Sequence, residues 1–252
     1  MIGAATMGSG VAICALDAGL HVTLIEQDAG ALNAGRERIL KHYERNLNAD
    51  DTAERVRMLV CTTDWQSLTQ VDAVIEAVFE DLAVKQEVFQ RIDKLARPGA
   101  LLASNTSYLD LDGIAGATQR PRDVVGLHFF SPAHVTRLME VVRGTESSQQ
   151  SRATAFVLAQ RFCKLPVLTR NAFGFIGNPL ITIAGLSGAM ELTGDSESTG
   201  CLPMKQLSGC RKPQSAQTSH PPCRARGEST ILTRSTNFFG ARKQTRKPGS
   251  AG

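Results

Sequence analysis

Aromatic residues are scarce in this chain. They make up 5% of 252 residues, with a single tryptophan. That scarcity disfavours an aromatic-rich sandwich and suits an aliphatic α/β core. No stretch stays apolar over the ~20 residues that a membrane helix needs, so no membrane partner is expected. The N-terminus has no basic segment ahead of an apolar one, and the final GSAG is not a peroxisomal address, so the expected compartment is the cytoplasm. Six cysteines are present, but Cys201, Cys210 and Cys223 match no zinc-ligand spacing even with His220 beside them, and no metal is expected. Cys14, Cys61 and Cys163 stand singly in apolar stretches and read as buried thiols.

Charge is unevenly spread. Residues 191–252 hold ten Lys or Arg against four Asp or Glu, so the net +4 belongs to this tail and the remainder is slightly acidic. Ser, Thr, Gly and Pro supply 27 of those 62 residues, a composition that cannot bury enough apolar surface to offset ordering, and the tail is expected to be disordered. It has no aromatic platform or ordered basic motif, so nucleic acid is not expected as a partner.

Ahead of the tail, strand-like and helix-like patterns alternate. Short β-branched or apolar runs at 21–28, 57–63, 71–78, 99–107 and 123–130 predict strands. Residues 30–48 and 81–96 carry apolar stripes at helical spacing, Leu32, Ile39, Leu40, Tyr43 and Leu47 in the first and Val84, Val88, Ile92 and Leu95 in the second. A further helix is predicted over 147–163. The alternation implies an α/β fold of Rossmann type, a doubly wound parallel sheet. Its first strand is expected to be incomplete, because only Met1 and Ile2 precede the glycine turn.

Two constellations carry chemistry. Gly3, Ala5 and Gly8 fill the three marked positions of G-x-G-x-x-G, with Ala5 for the second glycine. Such a turn lets a pyrophosphate approach the first amides of the following helix. Glu26 ends the next strand 18 residues after Gly8, where a carboxylate accepts from ribose hydroxyls and repels a 2′-phosphate, favouring NAD over NADP. The second constellation lies in GLHFFSPAHVTRLMEVV. His128 and Glu140 each interrupt an apolar run, and Pro132 breaks the chain between the runs. If the runs face each other, imidazole and carboxylate lie side by side, a general base with its orienting acid.

The segments GAATMGSGVA, VIEAVFEDLAVKQEVF, ASNTSYL, GLHFFSPAHV, LMEVV and GFIGN, in this order and spacing, resemble the L-3-hydroxyacyl-CoA dehydrogenases, and most of all the dehydrogenase half of the bifunctional enoyl-CoA hydratase/3-hydroxyacyl-CoA dehydrogenases. The resemblance covers residues 2–178. It implies a NAD-binding domain over 1–172, the start of a second domain over 173–190, and an unrelated tail over 191–252. It implies His128 as the catalytic base, Glu140 as its partner, and Ser107 and Asn178 as groups that hold the reacting oxygen. Met7, Glu26, Glu80, Lys85, Ser107 and, more weakly, Ser131 are implied as cofactor contacts beside Gly3, Ala5 and Gly8. Glu76 and His134 are read as structural. The implied reaction is NAD-dependent oxidation of an L-3-hydroxyacyl-CoA in fatty-acid β-oxidation. Members of the family continue past GFIGN into a helical domain that completes the acyl pocket and usually the homodimer, and this chain departs from that pattern from Pro179 onward. The alternative is a dinucleotide-binding remnant without turnover.

Overall fold

The strands and helices that the periodicities predict form in that order, with further short elements between and after them. The computed structural model describes residues 1–178; the expected tail over 191–252, and the expected second-domain start beyond Asn178, lie outside the described residues. Helix α1 spans Thr6–Asp17, β1 Val22–Ile25, α2 Ala29–Asn46, α3 Ala49–Arg57, β2 Leu59–Thr62, β3 Ala73–Glu76, α4 Leu82–Leu95, β4 Leu101–Ser104, α5 Leu111–Ala115, β5 Val124–Phe129, β6 Leu138–Arg143, α6 Gln149–Arg161 and β7 Leu165–Arg170. Asp28, Asn48, Asp81 and Ser148 cap α2, α3, α4 and α6 by accepting a first-turn amide.

Strands β1 and β2 pair in parallel, and β3 to β7 form a second run in numerical order. Ile2 joins the two, bridging Ile25 on one side and Glu76 on the other. Its N–H donates to Ile75 O and its carbonyl accepts from Ala77, each at 2.9 Å, while Gly3 N donates to Ile25 O at 2.9 Å. The expected short first strand is thus this one central residue with its neighbours, at the point where strand order reverses. One pairing departs from the predicted parallel sheet: β5 and β6 are antiparallel, joined by the loop that holds Pro132. That antiparallel turn is what sets His128 directly opposite Glu140.

Side-chain alternation along the strands builds a core on each face. Val125, Leu127 and Phe129 face α1 and α6, packing with Val11, Ala155 and Ala159. Val124 and Val142 face the other way, with Val88, Phe89 and Ile92 of α4 and Ile114 of α5. His128 and Glu140 share parity with Val124 and Val142, so they enter from the α4 side. The predicted α4 stripe is shifted by one residue at its start. Val84 is exposed and Lys85 is buried. Of the α2 stripe, Leu32, Ile39 and Tyr43 are buried, whereas Leu47 is exposed. Cys14 is a buried free thiol and Cys61 a half-buried one, but Cys163, predicted buried, is exposed at φ 56° where the chain leaves α6.

Candidate active site

The glycine turn forms as its sequence predicts. Gly3 adopts φ 93°, and a Cβ there would lie 2.7 Å from Ala77 O, so both conformation and space demand glycine. Ala5 differs. It is exposed at φ −69°, the N-cap of α1, with no side chain satisfying the first-turn amides. The backbone at this position needs no glycine, and the uncapped amides point out of a helix start that meets the sheet's switch point. Gly8 and Met7 sit in the first turn, Gly8 buried and Met7 half-buried. Glu26 is half-buried just beyond β1. Its Oε2 accepts from Ala4 N at 3.0 Å and its Oε1 from Gln27 N at 2.8 Å. A carboxylate has about four lone-pair sites, so two remain for ribose hydroxyls. These residues fit a dinucleotide.

The second constellation is closed on itself. His128 Nδ1 lies 2.7 Å from Glu140 Oε2, with both residues at least 97% buried. Glu140 Oε1 accepts the amides of Ile176 and Gly177, each at 2.9 Å. The chain presents those two amides by passing through left-handed backbone at Gly174 (φ 68°) and Phe175 (φ 56°). For phenylalanine that conformation is strained, and it is held here by burial of the ring against the imidazole, centroids 5.6 Å apart. With Oε1 held by the two amides, Oε2 is left to accept the Nδ1 proton. The Nε2 lone pair is therefore the free basic site.

Of the remaining predicted residues, Ser107, Asn178, Glu80 and Lys85 meet at a third point, and Ser131 does not. Asn178 Nδ2 donates to Ser107 O at 3.1 Å. Glu80 Oε1 accepts from Thr106 Oγ1 and Ser107 N, each at 2.6 Å, and from Tyr108 N at 3.1 Å. Lys85 Nζ lies 3.4 Å from Glu80 Oε2. Lys85, implied as a cofactor contact, is fully buried with its ammonium 2.6 Å from Glu76 Oε1. Ser131 is exposed beyond β5, three residues after His128, and its carbonyl accepts from Thr136 Oγ1 at 3.4 Å; no contact joins it to the other groups among the described residues.

Two participants, Asn105 and Thr106, were not singled out from sequence, and a third, Glu76, was read as structural. Asn105 Oδ1 accepts from Phe129 N at 2.9 Å and so ties β4 to the residue after His128. Thr106 stands on Glu80, and Glu76 stands on Lys85. Glu76 carries the same signal that picked out Glu140, a lone carboxylate inside an apolar strand.

Burial raises the Glu80 pKa, but hydrogen bonds from Thr106, Ser107 and Tyr108 and the Lys85 ammonium outweigh it and hold the group below the ordinary glutamate value. A carboxyl depressed in the fold stabilises above its unfolded pKa, and that contribution is lost as pH falls through the folded one. Glu80→Gln should therefore lower the melting temperature at neutral pH, and the gap to the parent chain should close as pH drops below about 4. A gap independent of pH would show that the charge contributes nothing.

Fold and site together define a class, a doubly wound dinucleotide-binding domain whose strand ends carry a buried histidine–carboxylate pair. The sequence narrows the class further. Residues 1–172 match the family model described as 3-hydroxyacyl-CoA dehydrogenase, NAD binding domain, and the chain belongs to that family. It is 41% identical over 181 residues to the peroxisomal bifunctional enzyme of Danio rerio, covering 72% of this chain and 25% of that one. It is 39% identical over 188 residues to a 3-hydroxybutyryl-CoA dehydrogenase of Mycobacterium tuberculosis, covering 72% of this chain and 66% of that one. The crystal structure of M. tuberculosis FadB2 superposes with a TM-score of 0.72 at 36% identity, over 76% of this chain and 70% of that one. The chain thus spans about a quarter of the length of its peroxisomal relatives. Among the described residues no helix is long and apolar enough to cross a membrane.

Proposed function

We propose that this domain oxidises an L-3-hydroxyacyl-CoA to the 3-ketoacyl-CoA with NAD, as a step of fatty-acid β-oxidation, and runs the reduction in reverse. The buried His128–Glu140 pair, with Nε2 free and Nδ1 committed, carries the proposal. His128 Nε2 takes the proton of the 3-hydroxyl and returns it in the reverse direction. Glu140 stabilises the imidazolium formed. Ser107 and Asn178, tied together by the Asn178 amide, hold the reacting oxygen. NAD, when bound, supplies the acceptor for the hydride leaving the same carbon. Gly3, Gly8, the amides after Ala5, Met7 and Glu26 cradle it, with Glu80 and Lys85 shaping the wall beside Ser107 and Ser131 at the mouth. One relative is named for hydroxybutyryl-CoA and another as a peroxisomal enzyme, so kinship supports the acyl-CoA class and assigns neither chain length nor compartment.

Acetoacetyl-CoA with NADH tests the reaction. Absorbance loss at the dihydronicotinamide band should depend on both reagents, and its absence under every condition, including a fusion to the unmatched part of the M. tuberculosis relative, would sink the proposal. One observation favours a second reading, that the chain binds dinucleotide but turns over poorly alone. Phe173 is 81% exposed and Phe79 78% exposed, and the Phe173 ring lies 5.4 Å from exposed Tyr108 beside the Ser107 turn. Such an open apolar surface neither orients an acyl group nor excludes water. The fusion should then outpace the unfused chain by a wide margin.

Cofactor choice is a separate expectation. Fluorescence titration should show tighter binding of NADH than NADPH, because the Glu26 carboxylate repels a 2′-phosphate. Equal affinities would remove Glu26 from the ribose site.

A further inference from the structure

We infer that Glu76, expected from sequence to be merely structural, is a positioning residue that holds the Thr106–Ser107 turn in place for the reaction proposed above. The inference rests on that reading for the role of Ser107, but its geometry stands apart from it. Glu76 ends β3, is fully buried, and accepts hydrogen bonds through both carboxylate oxygens and its carbonyl. Its backbone pairs with Ser104 of β4, its carbonyl accepting from Asn105 N at 2.8 Å, while Ile2 bonds its two neighbours, Ile75 and Ala77, on the opposite side. Its carboxylate sends out two arms that meet at the same turn. Along the first, Oε2 accepts from Ser104 Oγ at 2.8 Å, and Ser104 Oγ in turn accepts from Thr106 N at 3.2 Å. Along the second, Oε1 accepts from Lys85 Nζ at 2.6 Å, and the ammonium reaches Glu80 Oε2 at 3.4 Å. Glu80 then accepts from Thr106 Oγ1, Ser107 N and Tyr108 N. A third partner, Val78 N at 2.6 Å, aims Oε1.

A purely structural partner for a buried lysine would need only the contact to Lys85. Here the carboxylate also reaches the turn by a route that bypasses Lys85 altogether. The ammonium is shared between Glu76 and Glu80, and the closer of the two is Glu76. Glu76→Gln keeps the shape and removes the charge, so Lys85 is left with Glu80 as its one carboxylate. Its pull on Glu80 then competes with the amides of Ser107 and Tyr108. Asn178, whose amide donates to Ser107 O, follows the turn.

Hydrogen exchange on the full chain, read by mass spectrometry, tests the inference without requiring turnover. In Glu76→Gln, exchange over residues 104–109 should rise roughly tenfold or more, while α1 and β5 exchange as in the parent chain. Ser104→Ala cuts only the first arm and leaves Lys85 paired, so it should fold even if Glu76→Gln does not. It should raise exchange over the same segment and weaken NADH binding in parallel. Unchanged exchange at 104–109 in Ser104→Ala, or a uniform rise across the whole chain in both variants, would return Glu76 to the role of a core counter-ion. If the parent chain itself fails to bind NADH, the failure lies with the proposed function, whereas normal binding with an unresponsive turn overturns only the positioning role.

Discussion

His128→Gln should cut turnover by ~100- to 10,000-fold, the usual effect of removing a general base, while leaving NADH affinity close to that of the parent chain. The split follows from where the imidazole sits. Its Nδ1 is spent on Glu140, and in the proposed reaction the free Nε2 serves the substrate oxygen, while the cofactor is held by the glycine turn at Gly3 and Gly8. Glutamine keeps a donor toward Glu140 but carries no base. The measurement is single-turnover oxidation of 3-hydroxybutyryl-CoA, in the fusion that closes the acyl side if the unfused chain is slow. Glu140→Gln should also lower turnover, because it loses stabilisation of the imidazolium while its carbonyl oxygen still accepts from Ile176 and Gly177. A His128→Gln variant with full turnover would end the assignment.

Much of this site is legible in sequence because its chemistry violates its surroundings. A histidine and a glutamate within apolar runs are costly unless paired, and Pro132 between them leaves a hairpin as the simplest way to pair them. The glycine turn is legible for a similar reason, since only glycine tolerates φ 93° against a backbone carbonyl. What escaped has physical causes too. Helix α3 buries no side chain, so no buried apolar stripe marks it, and its signals are polar ones: the Asn48 cap, Asp50 and Asp51 in the first turn, and Arg55 and Arg57 in the last. Strand β7 contains Pro166 and is largely exposed, so neither period nor composition marks it. Lys85 falls on the inner face of α4, where a periodicity count sees a polar residue and moves the stripe to Val84. The pairing that makes burial affordable involves Glu76, nine residues earlier on a different element. Similarly, the amides of Ile176 and Gly177 carry no side-chain signature, and their aim depends on left-handed backbone at a phenylalanine.

Gly8→Ala should remove dinucleotide binding and destabilise the fold together, because one contact serves both. A Cβ at Gly8 would stand 1.9 Å from Gly3 O and 2.9 Å from Gly3 C. Both are backbone atoms, so no rotamer relieves the clash. Gly3 is held in place, since its N–H is bonded to Ile25 O and the space beside it is so close to Ala77 that even a Cβ would lie 2.7 Å from Ala77 O. Helix α1 must lift instead, carrying Val11, Ala12 and Ile13, all nearly fully buried, out of register with the sheet. Overpacking of this kind costs at least ~1–3 kcal/mol, about 2–12 °C in melting temperature for a chain of this size. Lifting α1 also withdraws its first-turn amides from the pyrophosphate, so NADH affinity should fall more than tenfold at temperatures where the variant is still folded. Ala5→Gly is the internal control. Ala5 is exposed at an ordinary φ, and glycine is the better N-cap of the two, so stability and affinity should change little. Calorimetry and fluorescence titration on both variants decide the matter. If Gly8→Ala binds NADH like the parent chain, or Ala5→Gly is the more damaging of the pair, then the helix start does not hold the cofactor in the way the geometry requires.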